Sequence, residues 1–511
     1  MDQDRVIVVG GGVGGLSAAL TLASRGLPVT LLEAQPDIGG KMRALPVGKG
    51  QPIDSGPTVF TMRWVFEELF EEAGLTLSDE LALTRADLLA RHAWDTSGHF
   101  DLYADLEQSA DSVGGFFGQR EAKSFRKFAK QAAEMYALLE EPFLKSPKPT
   151  TVGLSKQLGL RGFKVRPFSS LHQSLAQIFD DPRLVQLFGR YSTYTGASPY
   201  LAPATLMLIA HVELDGVWLI KGGMRALAQK MREACENAGV EVRTNAPVAT
   251  IEVSAGKTSA AILADGERLP CAAIIANCDA SAIGSGLFGK EVAGAVEVVK
   301  PTERSLSAIA WTLRAKAMGF PLSHHTVFFG KNYPEEFDAT FKRSEFPADP
   351  TVYICAQDRT ADEAGEQISG SERMLMVINA PPNGDSAEPN DKEMNQCMDR
   401  AMQRLEACGL TVEPEPDASL ATGPTAFNEL FPATGGALYG RANHSPFASF
   451  KRPSNRTQIP GLYLAGGSVH PGPGVPMAAL SGRLAAAELL ADRASRPRFR
   501  RTATIGGMST G

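Results

Sequence analysis

The chain has 511 residues, of which 43% are hydrophobic and 21% charged, a balance that excludes a disordered or fibrous chain and leaves room for roughly two to four units with large cores. Its 51 basic and 57 acidic side chains give a net charge of −6. That balance speaks against nucleic acid as the main partner, because phosphate binding draws on a basic surface.

Residues 6–24 carry no charge, a run that superficially resembles a signal peptide or a membrane span. Gly10, Gly11, Gly12, Gly14 and Gly15 within it make a poor continuous helix, no cleavage site follows, and neither a span nor export is predicted. Val6-Ile-Val-Val9 instead suits a buried parallel strand, Leu16 to Ser24 a helix closed near Gly26, and Val29-Thr-Leu-Leu-Glu33 a second strand. Between the first strand and the helix stands G-x-G-x-x-G. Gly10 turns the chain, Gly12 admits a pyrophosphate, Gly15 lets helix and strand close, and Glu33 accepts from ribose hydroxyls. Gly39-Gly40-Lys41-x-Arg43 follows at once, a second close-approach element with cations for the pyrophosphate or the flavin. A nicotinamide enzyme has no particular need of it, so FAD is the preferred dinucleotide; an ordinary loop with a solvated Lys and Arg is the alternative.

These motifs, with Ile53-Asp-Ser-Gly56-Pro57-Thr58, resemble the FAD-containing amine oxidase and phytoene desaturase superfamily, and within it the bacterial-type carotenoid desaturases. The carboxyl-terminal segment resembles them too: Pro460 to Ser468 with Gly466 and Gly467, then His470-Pro-Gly-Pro-Gly-Val-Pro476-Met477-Ala478-Ala479 and Ser481-Gly482. Many relatives carry an acid where Gly467 stands. Gly216 to Met224, Ala273 to Asp279 and Phe450 to Arg456 fill the middle, with Val248 near where the family holds the adenine. The resemblance covers about residues 4–492. It implies an α/β fold with α+β inserts: a Rossmann-like FAD-binding domain from 1–65, 205–285 and 430–492, interleaved with a substrate and membrane-docking domain from 66–204 and 286–429. The implied cofactor contacts are Gly10, Gly12, Gly14, Gly15, Glu33, Gly40, Lys41, Arg43, Gly56, Pro57, Thr58, Val248, Gly466, Gly467, Pro476, Met477 and Ala478.

The implied reaction is FAD-dependent desaturation of a carotenoid. No side chain accepts a hydride, so the flavin carries the redox step. His470, in the motif nearest the flavin, is more readily a holder of the proline–glycine loop than a base, and stands as a candidate for either. Residues 59–71 and Ala437-Leu-Tyr-Gly-Arg441 look more like the 1-hydroxycarotenoid 3,4-desaturases, which add a terminal double bond beside a hydroxylated or methoxylated end in the spheroidene and spirilloxanthin pathways of purple phototrophic bacteria. Arg63, with Trp64, is a candidate reader of that end, or simply packed. The alternatives are a phytoene desaturase making successive desaturations, a carotenoid isomerase, and a non-catalytic prenyl-lipid carrier like the Rab-escort group. Nothing in the sequence identifies the electron acceptor.

A carotenoid does not diffuse through water, so its enzyme collects it from a membrane. Lys145, Lys148, Lys156, Arg161, Lys164 and Arg166 alternate with Val152, Leu154, Leu158, Leu160, Phe163, Val165 and Phe168, with no acid between, which suits peripheral contact with an anionic bilayer. The apolar stretch Leu171 to Phe188 is the alternative tunnel entrance. Residues 493–511 read as a disordered basic tail. His324-His325 is not expected to bind metal, because adjacent side chains diverge and no cysteine or acid follows at a ligand spacing. The six cysteines (Cys235, Cys271, Cys278, Cys355, Cys397 and Cys408) lack framework spacing and suit a reducing cytoplasm, with the protein peripherally membrane-associated.

Overall fold

The computed structural model describes residues 4–166, 169–360, 368, 370–387 and 391–495. Phe168, the side chains of Phe163, Lys164 and Val165, and the tail beyond residue 495 lie outside that description. Arg493 of the expected tail is bound, pairing with Asp4 at 2.8 Å.

Five short parallel strands form the first sheet, in the order Leu462–Leu464, Ala273–Ala276, Val6–Val9, Val29–Leu32 and Glu241–Arg243. All four residues of Val6–Val9 and of Val29–Leu32 are buried, as β-branched and leucine-rich strands covered on both faces should be. Three distant stretches of chain contribute to this sheet. Helix Val13–Ser24 crosses back between its first two strands and packs on helix Val475–Ser495. The crossing is close: a Cβ on Gly482 would overlap Gly14 O, so glycine is needed on that side of the seam.

A seven-stranded sheet runs in the order Thr411–Thr422, Ser307–Met318, Glu372–Ala380, Val352–Ala356, His325–Phe328, Leu88–Ala93 and Phe100–Tyr103. It is antiparallel except where His325–Phe328 runs alongside Leu88–Ala93. Helices cover one end, with Phe125, Phe128, Phe179 and Phe188 in a common aromatic core. Leu171, Leu175, Leu184 and Phe188 are buried there, so the stretch predicted as an alternative entrance is core packing. Among the described residues, no helix is long and apolar enough to cross a membrane.

Candidate active site

A cavity of about 1350 Å³ runs between the parallel sheet and the seven-stranded sheet. It exceeds the roughly 300–1,000 Å³ of an ordinary small-molecule site, so it has room for a dinucleotide and a second long ligand. One end is the glycine turn. Gly10 sits at φ +99°, and the place of its missing Cβ is 2.5 Å from Asn277 O. A Cβ on Gly14 would stand 2.6 Å from Asn277 Oδ1 and 2.9 Å from Ala478 O, while one on Gly15 would overlap Gly10 O. Asn277 is the hub of this turn: its Nδ2 donates to Gly10 O at 3.1 Å. Gly15 therefore acts through packing, and Gly10, Gly12 and Gly14 line the cavity itself.

Glu33, 8% exposed, accepts from Gly11 N–H at 2.6 Å and Gln35 N–H at 2.9 Å. A carboxylate has about four acceptor positions, so two remain for ribose hydroxyls. Gly40, Gly56, Pro57, Thr58, Val248, Gly466, Gly467, Pro476, Met477 and Ala478 line the same cavity. The long helix begins at Val475 on its wall, which turns an N-terminal partial positive charge toward the cavity. A Cβ on Gly467 would make only ordinary contacts, 3.6 Å from Pro473 Cα, which leaves space for a side chain there. The cradle, the carboxylate and the helix terminus together fit FAD.

Lys41 and Arg43 also line the cavity, but their heads are engaged on the opposite wall. Lys41 Nζ donates to Leu438 O and lies 4.9 Å from the Phe431 ring; burial lowers its pKa. Arg43 Nη2 donates to Thr422 Oγ1 at 3.0 Å, with its guanidinium 5.7 Å from Phe427. Among the described residues, neither head has a hydrogen bond to the glycine cradle. Asp54, whose element resembles the family motif, caps a different feature: it accepts from Met224 N–H at 2.5 Å at the start of helix Gly223–Asn237.

Two candidates fall away from the cavity wall. His470 is 3% exposed, its Nε2 bonds Ser146 O at 2.9 Å, and Phe143 packs edge-on 5.1 Å away. Burial holds its pKa at about 4. It ties the proline–glycine loop to the neighbouring helical segment. Arg63 pairs with Glu67 at 2.8 Å and lies over Trp218, while Trp64 lies beneath Lys145 Nζ at 4.6 Å. The helix that follows sets the arginine toward its i+4 acid, and Arg63 is not among the residues that line the cavity.

Sequence reasoning missed a polar wall beyond Thr58. Thr58 Oγ1 and Tyr353 Oη are 2.7 Å apart, and Tyr353 Oη is 2.7 Å from His325 Nδ1. Arg190 lies 5.4 Å from the Tyr353 ring centre, and its Nη1 donates to Tyr194 Oη at 3.3 Å. Glu213, 7% exposed, accepts from Tyr191 Oη at 2.6 Å, and burial raises its pKa. Arg190, Tyr194, Glu213, Tyr333 and Tyr353 all line the cavity. The available signal was Arg190-Tyr191 and Tyr194 immediately after an apolar run.

His324 and His325 do not diverge: their rings are 4.6 Å apart. Strand pairing sets His325 opposite Cys355, and Cys355 Sγ is 3.6 Å from His324 Nε2. A cross-strand neighbour is invisible to a search for ligands at short spacing. Each histidine Nδ1 is already bonded, to Arg359 O at 2.6 Å and to Tyr353 Oη, and burial pushes the Cys355 thiol to about 12.

The description "flavin containing amine oxidoreductase" matches residues 13–490. The chain belongs to that family. It is 47% identical over 513 residues to a hydroxyneurosporene desaturase of Rubrivivax gelatinosus, covering 99% of this chain and 97% of the relative. The identity is 44% over 498 residues to one from Cereibacter sphaeroides, covering 97% and 99%. A 1-hydroxycarotenoid 3,4-desaturase of a Flavobacterium species is 29% identical, covering 94% and 98%. Among solved structures, cyclohexylamine oxidase of Brevibacterium oxydans superposes with a TM-score of 0.56 at 15% identity, covering 97% of this chain and 100% of that one. The fold is thus that of the flavin amine oxidases, and the protein is an FAD-dependent oxidoreductase.

Proposed function

We propose that the protein desaturates an acyclic carotenoid, introducing a C3–C4 double bond beside a 1-hydroxylated or methoxylated end. The observation that carries this reading is a single cavity joining the flavin cradle to a surface suited to a membrane, in a chain whose relatives of similar length are by name hydroxyneurosporene desaturases.

Bound FAD supplies the two-electron acceptor that removal of two hydrogens requires. The protein holds the polyene along an apolar wall that includes Leu154, Leu158, Leu208, Ile209 and Phe450. Thr58, Tyr353 and His325 form a hydrogen-bonded chain leading from that wall to the buried His325, placed to receive the proton lost from carbon at its Thr58 end.

A carotenoid of about forty carbons would cost tens of kcal/mol to hydrate at ~0.8 kcal/mol per methylene-sized group, so it enters from a bilayer. Helix Thr151–Leu158 supplies both cavity wall and surface: Leu154 and Leu158 face the cavity, while Val152 is 77% exposed. Leu160 is 87% exposed and Phe447, at the cavity mouth, 51%. Exposed Lys148, Lys156 and Arg161 flank these residues, which suits reversible docking on anionic lipid at ~1 kcal/mol per basic group. Lys145 does not contribute, because Glu140 and Glu141 hold it.

The test is a product spectrum. The flavin-loaded protein is mixed with anionic liposomes carrying either phytoene or a 1-hydroxylated acyclic carotenoid, and the extracted pigments are compared. A lengthened chromophore from the hydroxylated substrate alone is the expected result. Conversion of phytoene would move the activity to an earlier desaturation. No change in either would favour isomerisation or carriage.

A further inference from the structure

The cavity is lined largely by apolar groups, and besides Glu33, Lys41 and Arg43 at its dinucleotide end its wall carries the charged side chains Arg190 and Glu213. Arg190 has five N–H donors, and the Tyr194 hydroxyl takes one. The others have no hydrogen-bond partner among the described residues, although the side chain faces the cavity. Tyr333 lines the same wall, is 6% exposed, and its hydroxyl has no hydrogen-bond partner there either. Glu213 is an acceptor already oriented by Tyr191. Unfilled donors beside an oriented acceptor are costly in an apolar wall unless a ligand supplies their complement.

The position of the patch matters as much as its polarity. Tyr353 bridges it to Thr58, and Thr58 follows the Gly56-Pro57 element of the flavin cradle. The single side chain of Tyr353 therefore links Arg190 to Thr58, beside the Gly56-Pro57 element of the cradle. In a 3,4-desaturation the C1 oxygen is three to four bonds of about 1.5 Å from the reacting carbons, so a group that reads it must stand roughly 4–7 Å from the reacting bond. A desaturation deep within the chain would put apolar carbon at that place instead.

We propose that Arg190 and Glu213, set in place by Tyr194 and Tyr191, are the specificity-determining residues that read the terminal oxygen of the polyene, Arg190 donating to the oxygen and Glu213 accepting from its hydroxyl proton. The proposal rests on the desaturase reading above. It predicts a distinction between two end groups. A hydroxyl uses both residues, whereas a methyl ether, which has no proton to give, uses Arg190 alone.

The experiment compares wild type, Arg190→Leu and Glu213→Gln as flavin-loaded proteins whose visible flavin spectra and Tm match. Each is assayed in liposomes with a 1-hydroxylated carotenoid, its 1-methoxy ether and the unsubstituted polyene. Binding of the three is also measured to the dithionite-reduced enzyme, which cannot turn over, by the shift in polyene absorption. Arg190→Leu is expected to lower kcat/KM and affinity for both oxygenated substrates about 10- to 100-fold, with little change for the unsubstituted polyene. Glu213→Gln is expected to weaken the hydroxylated substrate about tenfold and spare the ether. Equal losses on all three substrates, or unchanged preference in both variants, would overturn the proposal. Arg190→Lys, which keeps the charge and loses the planar fork, is expected to recover part of the preference, and serves if the leucine variant does not fold. Failure of wild type to convert the hydroxylated carotenoid would instead overturn the desaturase reading itself.

Discussion

Replacing Gly14 by alanine tests the geometry on which flavin binding rests. The added Cβ would stand 2.6 Å from Asn277 Oδ1, 2.9 Å from Ala478 O and 3.1 Å from Gly466 N, all closer than ordinary contact at 3.4 Å. Asn277 cannot simply swing away, because its Nδ2 is bonded to Gly10 O. Ala478 O is main chain of the helix that opens on the cavity, so the two helices must part by about half an ångström. Overpacking of this kind costs about 1–3 kcal/mol. The same movement shifts the first-turn N–H groups that would hold a pyrophosphate in this cradle, and a charge-assisted hydrogen bond is worth about 1.5–3 kcal/mol. Flavin affinity should fall at least tenfold, and Tm should fall with it. The assay is the flavin-to-protein absorbance ratio after gel filtration, followed by titration of flavin into the stripped protein. A Gly14→Ala variant with full flavin content and an unchanged Kd would show slack in the seam and refute the close-packing argument. Gly115→Ala is the control of opposite sign. Gly115 is an exposed glycine in helix Leu106–Phe117, with no atom within 4 Å of a new Cβ, and its replacement should stabilise by about 0.5–1 kcal/mol.

Acid should destabilise the fold through its buried histidines. Burial lowers His470 and His444 from 6.5 to about 4 and His92 to about 3, so the unfolded chain takes up their protons first. Their contribution is fully present above pH 6.5 and is lost as pH falls toward 4, at most about 3 kcal/mol for His470. Urea unfolding midpoints measured from pH 7.5 to 5 should fall, and fall less in His470→Asn; a flat profile in wild type would count against burial as the cause. Reversing Lys148, Lys156 and Arg161 to Glu should weaken sedimentation with anionic vesicles about 100-fold or more and leave neutral vesicles unaffected. Equal binding of wild type and variant to anionic vesicles would remove this surface as the docking site. Tyr353→Phe, which deletes the hydroxyl between Thr58 and His325, should slow the chemical step more than it weakens binding, read as a kcat loss at nearly constant KM. A change in KM alone would place Tyr353 in substrate holding only.

The dinucleotide end was legible in the sequence because its physics is local. Strand Val6–Val9, the glycine turn, helix Val13–Ser24 and strand Val29–Leu32 lie between residues 6 and 32, and Gly15 answers to Gly10 O within the same turn. What decides the substrate end is not local. Arg190 meets Tyr353 across more than 160 residues, Tyr353 meets Thr58 across 295, and Cys355 reaches His324 only because two strands pair in one register. Arg63 illustrates the converse. It stands a few residues beyond Thr58 in sequence, yet helix periodicity turns it to Glu67, four residues on. Lys41 and Arg43 follow the glycine pair in sequence and line the cavity, but their long side chains reach to Leu438 and Thr422. Backbone motifs thus fix where a cofactor lies, because main-chain N–H groups and missing Cβ atoms travel with the local turn. The reach of a charged side chain is settled by whichever distant segment folds against it: for Arg190 the strand carrying Tyr353, for Arg43 the strand ending at Thr422, and for Lys41 the loop carrying Phe431 and Leu438.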